Sequence, residues 1–208
     1  MTEAQIVIFI VTSLILIITP GQDMILVMSR SISQGWKAGV ATAAGVSTGL
    51  LGHTLLAALG LGALLQASEI LFTIMKIAGA VYLVYLGVRL ILSSHSGLDI
   101  NNLPTMSTGK MFFQGAVSNL SNPKIAIFYF AYLPQFIPVE STNTTLLLLT
   151  LGAAFALLTF FVKGPIGYTA GMLSAWLRSH PSVINRIHQT SGLVLIGLGL
   201  RLALEQKK

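Results

Sequence analysis

Long apolar segments alternate with short polar stretches along the whole chain, and two of the segments are interrupted by proline at matching points. The pattern predicts helices over roughly 5–30, 38–65, 70–92, 111–134, 145–172 and 185–204. Each is close to the ~20 residues that cross a bilayer. In the first segment, apolar residues 6–18 run into Thr19-Pro20-Gly21-Gln22-Asp23. In the fourth, Asn119-Leu120-Ser121-Asn122-Pro123-Lys124 precedes a second apolar run. Proline removes a backbone hydrogen bond and pushes its ring against the preceding turn, so both sites predict a broken helix. The carbonyls freed in this way find no water in a bilayer core. Such breaks persist only where protein buries them or a wet cavity reaches them. Matching breaks in the two halves of a membrane chain point to a transporter's binding site. Lys163-Gly164-Pro165 predicts a third break, in the fifth segment.

The polar stretch 93–110, which holds Asp99, Asn101, Asn102 and Pro104, divides the chain nearly in half. The window 79–90 aligns with 191–202, so that Gly87-x-Arg89-Leu90 falls on Gly199-x-Arg201-Leu202. The proline breaks align at a slightly different offset, which a loop insertion explains. Three helices per half is an odd number, so the halves are inverted with respect to each other. The expected fold is an all-α membrane protein forming one transporter domain over 1–208. Its six transmembrane helices make two inverted three-helix repeats, about 1–92 and 111–208, joined by the linker 93–110, with helices 1 and 4 broken at Pro20 and Pro123.

Composition supports lipid as the solvent. Of 208 residues 54% are hydrophobic and 9% charged, and the mean hydropathy is +0.82. An ordinary soluble domain carries roughly 25% charged residues. The net charge of +6 does not indicate nucleic acid, because the twelve Lys and Arg lie mainly between apolar runs and no basic stretch with interleaved aromatics occurs. The absence of cysteine excludes disulfides, thiol catalysis and cysteine metal sites, and no cofactor motif is present. The start, Met1-Thr2-Glu3-Ala4-Gln5, lacks the positive region of a signal peptide, so the first segment reads as a retained span. Basic residues mark one side: Arg30 and Lys37, then Arg89 and Lys110, then Arg178 and Arg186 with His180 and His188. Glu69 and Glu140 mark the other. Basic loops stay cytoplasmic, which places both termini in the periplasm, although Arg201, Lys207 and Lys208 oppose that orientation.

Asp23 is the one acid deep within an apolar segment. A carboxylate at mid-membrane costs about 2.5–3.5 kcal/mol on insertion scales, so it faces a cavity, a partner or a proton. It reads as a contact for a substrate ammonium group, as a proton carrier, or as a first-turn acid favoured by the dipole of the half-helix after Pro20, Gly21 and Gln22. Lys124, beside the other break, reads as a partner for Asp23, a clamp for a substrate carboxylate, or a snorkelling lysine. Asn119 and Asn122 can satisfy freed backbone groups or touch substrate. Lys163 reads equally as a cavity residue or a lysine near a helix end. His53 reads as a proton shuttle or a satisfied core histidine, and Tyr82 as a cavity residue or ordinary core. Gly45, Gly49 and Gly52 form a small-residue face for helix packing, and the glycine faces also suit a homodimer. Gly45-Val46-Ser47-Thr48-Gly49 matches G-x-S-x-G, but that motif needs a strand–turn–helix setting and here it falls inside a helix. This leaves an intramembrane serine hydrolase as a minor alternative.

At these residues the chain resembles the LysE/RhtB family of bacterial amino-acid exporters. Thr19-Pro20-Gly21-Gln22-Asp23, Gly35, Gly39, Gly45 and Gly49 carry the likeness. It continues through Gly79-Ala80-x-Tyr82-Leu83-x-x-Leu86-Gly87, Phe113-x-Gly115, Asn119-x-x-Asn122-Pro123-Lys124 and Leu133-Pro134-Gln135-Phe136. The resemblance implies a multi-pass carrier of the bacterial inner membrane that expels amino acids, coupled to protons. Homoserine or threonine, leucine, basic amino acids or related compounds are its substrates. One acid beside one base suits a neutral zwitterion better than lysine or arginine, with basic amino acids or another small metabolite as the alternative.

Overall fold

The computed structural model describes residues 2–67, 69–92, 104–138, 141 and 143–204. Its helices are α1 (Glu3–Ile18), α2 (Gln22–Gln34), α3 (Trp36–Ala67), α4 (Glu69–Leu92), α5 (Thr108–Leu120), α6 (Pro123–Ile127), α7 (Thr144–Ser179) and α8 (Pro181–Leu204). A π-helical turn, Phe128–Tyr132, and a 3-10 turn, Leu133–Phe136, follow α6. No strand occurs among the described residues.

Local chemistry sets the boundaries. Thr2 and Gln5 form a capping box at the start of α1. Gly35, at φ 86°, lets the chain pass from α2 to α3 in a single residue, a conformation that a side chain disfavours. Ser107 caps α5, and Asn122 caps α6 with Pro123 in its first turn, where a missing N–H costs nothing. Asp99, Asn101, Asn102, Glu140, Lys207 and Lys208, with most of the expected linker, lie outside the described residues.

Trp36–Gly60 and Thr144–Ala170 are long and apolar enough to cross a membrane, and α1 with α2, bent by 53°, makes a third candidate. Two to three spans are therefore supported on length and composition, against the expected six. Three expectations are corrected. Lys163-Gly164-Pro165 does not break its helix, since α7 runs through Pro165 uninterrupted. The second part of the fourth segment is mostly not α-helical. Its aromatics fill the core instead, with Phe128 stacked on Phe155 at 4.5 Å and Tyr132 edge-on to Phe136 at 5.4 Å. Arg30 is not a loop residue: it is buried in α2, where Nε donates to Gln114 at 2.9 Å and Nη1 to the Pro104 carbonyl at 2.9 Å.

Glycines decide how closely the helices meet. α3 packs between α5 and α7. A Cβ on Gly45 would collide with the Phe112 backbone, and one on Gly49 would lie 2.7 Å from the Ala116 carbonyl oxygen. The Gly45–Gly49–Gly52 face is thus spent on α5 within the chain and is not free for a second copy. On the other flank Gly39 and Gly167 bring the backbones of α3 and α7 together. α4 pairs with α8 reciprocally. Cβ atoms on Gly87 would meet Gly192 O at 2.5 Å and Ile196 Cγ1 at 2.7 Å, while one on Gly199 would meet Ala80 O at 2.8 Å and Val84 Cγ2 at 2.9 Å. In the alignment of 79–90 with 191–202, each of these contacts maps onto the other.

Candidate functional site

The two proline interruptions meet. Asn119, in the last turn of α5, donates from Nδ2 to Asp23 Oδ2 at 2.8 Å, in the first turn of α2. Gln22 Nε2 reaches Ser118 Oγ at 3.2 Å. Lys124 Nζ crosses back to α1, donating to the Thr19 carbonyl at 3.2 Å and the Leu16 carbonyl at 3.4 Å. The same ammonium lies 3.2 Å from where a Cβ on Gly21 would stand, so only glycine leaves it that room.

Each proline explains a partner. Pro20 has no N–H for the carbonyl four residues back, which is that of Leu16, and Lys124 supplies the donor instead. Pro123 leaves the Asn119 carbonyl without its helical donor in the same way. His53 Nε2, from α3, lies 3.1 Å from that oxygen, and the Asn122 N–H at 2.9 Å. Since a carbonyl only accepts, His53 carries its proton on Nε2, and Nδ1 presents a lone pair.

Lys163 of α7 closes the cluster with an Nζ–Oδ2 distance of 3.4 Å to Asp23. Asp23 is 2% exposed, Asn119 0% and Lys163 5%, so the ion pair is shut off from the surroundings. Three acceptor atoms in this cluster, Asp23 Oδ1, Asn119 Oδ1 and His53 Nδ1, have no hydrogen-bond partner. Buried polar atoms are ordinarily satisfied, so these three stand out within the cluster. A groove of about 890 Å³ lies between α2 and α5, lined by Ile25, Ser29, Lys110, Phe113 and Gln114 together with Gln22, Ser118 and Ser121. The Gln22–Ser118 hydrogen bond borders it, one residue from Asp23, which does not line it.

The structure thus assembles Pro20, Gly21, Gln22, Asp23, His53, Asn119, Asn122, Pro123, Lys124 and Lys163. It does not bring Tyr82 to them. That ring packs against Tyr85 of its own helix at 6.1 Å. Sequence reasoning missed Ser118 and Tyr129. Tyr129 stacks on His53 at 5.5 Å and donates to the Gly152 carbonyl at 3.3 Å. Neither sits in a motif. Ser47 lies within continuous α3, so the setting that a nucleophile elbow requires is missing. No group of three metal-ligating side chains occurs among the described residues.

Known proteins resemble this chain over most of its length. The chain is 32% identical over 196 residues to the homoserine/homoserine lactone efflux protein of Salmonella typhimurium, covering 94% of each chain. The Salmonella typhi protein of the same name matches equally, at 32% over 196 residues and 94% of each chain. The uncharacterized membrane protein YrhP of Bacillus subtilis is 32% identical over 206 residues, which is 94% of this chain and 97% of that one. No solved structure matches. The model of the LysE type translocator family matches residues 14–206, which takes in both interruptions and every residue of the cluster between them. This membrane protein belongs to the LysE type translocator family.

Proposed function

We propose that the chain exports small neutral amino acids across the bacterial inner membrane, with homoserine and its lactone as the first candidates, and that the substrate binds where the two interruptions meet. The observation that carries this reading is Asp23: a buried carboxylate with an unpartnered oxygen, in the first turn of a half-helix, next in sequence to Gln22, which lines a groove. The names of the Salmonella relatives support the substrate class. Lys163 already pairs with the single acid and Lys124 stands at the same interruption, so a cationic side chain would meet repulsion, which favours neutral substrates over lysine or arginine.

In this reading α1–α2, α3 and α4 form one repeat, and α5–α6 with its turns, α7 and α8 the other, six spans in all. The reciprocal glycine contacts of α4 and α8 support an inverted relation between them. Transport proceeds by alternating access, with one repeat rocking against the other around the site. Asp23 and His53 exchange the coupling protons.

The test is export from proteoliposomes loaded with each of the twenty amino acids, homoserine or homoserine lactone. Movement of a neutral amino acid, lost in Asp23→Asn with membrane-inserted protein undiminished, is the expected result. No movement of any of these compounds overturns the substrate class, and normal export by Asp23→Asn overturns the site.

A further inference from the structure

The geometry points to Lys163 as a tethered stand-in for the substrate's ammonium group, so that Asp23 holds one cation at a time and the amine, not the carboxylate, is the group recognised. This rests on the reading of the site as that of an amino-acid carrier.

An ammonium group has three N–H donors. Among the described residues Lys163 Nζ uses one, in the 3.4 Å contact to Asp23 Oδ2. Charge-assisted bonds of this type are ordinarily 2.7–2.9 Å, so the ammonium is loosely held. Lys124 is a contrast, bound to two backbone carbonyls on α1. The carboxylate is correspondingly unsaturated: Oδ2 takes Asn119 and Lys163, while Oδ1 has no partner. A carboxylate this deeply buried cannot stand without a compensating charge. It therefore keeps Lys163, an incoming ammonium group or a proton, and gaining one releases another.

Lys163 approaches from α7 and Asp23 stands on α2, so exchange of the cation makes or breaks a tie between separate helices. A substrate ammonium that takes over Asp23 unties α7, and the displaced Lys163, left without its counter-charge, gives up a proton, so the charge at the site is unchanged. Departure of the substrate and return of the proton restore the tie. Binding is thereby linked to the relative position of the two elements.

The chemistry of the handle follows. Homoserine and its lactone share a primary amine, whereas only homoserine has a free carboxylate. A site able to take both must rest on the amine. A compound with a carboxylate but an acylated nitrogen offers no cation to displace Lys163 and is excluded.

The experiment is binding and counterflow with purified protein, using homoserine, homoserine lactone and N-acetylhomoserine. Binding is read by thermal shift in detergent and counterflow in proteoliposomes. Lys163→Gln removes the competitor, and half-saturation for both amines falls by about tenfold, as expected when the competent fraction rises. Lys163→Arg, whose planar fork grips carboxylate better than an ammonium does, raises half-saturation. N-acetylhomoserine neither binds nor competes in any of the three proteins. A pair that serves structure alone gives the reverse order, with Arg close to wild type and Gln the weakest binder, and that result overturns the proposal. Competition by N-acetylhomoserine equal to that of homoserine also overturns it. If Lys163→Gln fails to fold, the direction of the Lys163→Arg shift decides. A wild type that binds the amines but moves none of them overturns the exporter reading and leaves this one standing.

Discussion

The two proline interruptions face the same physical problem and solve it with different means. At Asn122-Pro123 the repair is largely local. The Asn122 side chain accepts the Lys124 N–H at 3.1 Å, its own N–H returns to the Asn119 carbonyl, and His53 adds one further donor. At Pro20-Gly21 the repair is borrowed. Gly21 contributes no side-chain cap to α2, and the orphaned carbonyls of α1 are held by Lys124 from the other half of the chain. The first interruption also carries the buried acid. A break that caps itself keeps its shape when the halves move apart; one completed by its neighbour registers where that neighbour is. The second interruption is therefore the fixed member of the pair and the first the responsive one.

Substitutions at four positions test that contrast, in falling order of expected effect. Asp23→Asn removes the only carboxylate of the cluster, and export measured from loaded vesicles drops below about a tenth of wild type, since nothing else there can balance the buried cations. Lys124→Met keeps the length of the side chain but leaves the Leu16 and Thr19 carbonyls without their donor; the loss of stability is about 2 kcal/mol, visible as a lower Tm in detergent, with export severely reduced. His53→Leu costs about 1 kcal/mol for one interhelical hydrogen bond in a membrane setting, and His53→Gln, which retains a donor, recovers most of it in the same melting assay. Asn122→Ala costs under about 1 kcal/mol for a lost cap, because Pro123 still fixes the first turn, and export continues. If Asn122→Ala proves as damaging as Lys124→Met, the second interruption is no more self-sufficient than the first and the contrast fails.

Some of this was legible in the sequence because it depends on residues with few conformational options. Pro20 and Pro123 restrict the backbone wherever they stand, so both interruptions could be placed. Asp23 and Lys124 stood out because charge within apolar sequence always requires a partner. The partners were less readable. Lys124 was expected beside Asp23 or a carboxylate, and it holds backbone carbonyls, which no residue pattern advertises. Pro165 looked like a break, yet α7 absorbs it; a proline costs a helix one hydrogen bond and some bending, and packing against α3 outweighs that. The turn 128–132 is π-helical because Phe128, Tyr129 and Tyr132 must all enter the core, a demand set by volume and not by periodicity. The count of spans was not legible in the same way, since helix length alone does not fix where lipid begins.

The contact between Gly39 and Gly167 has a mechanical consequence. The two backbones touch there with no side chain between them, and Ser31 adds a hydrogen bond from Oγ to the Gly167 carbonyl at 2.5 Å. A second tight approach along α3 and α7, between Thr54 and Gly152, lies about 22 Å away at 1.5 Å per residue. A joint with no flexible padding resists sliding, and a tilt about it, like that of a balance beam on a knife edge, has to open or close the second approach. A tilt of about 5° at Gly39 moves the far end of the beam by about 2 Å over that length, on the scale of a hydrogen bond made or broken. Lys163 sits only about 6 Å from the knife edge by the same rise per residue, so at Asp23 the same tilt amounts to about half an ångström.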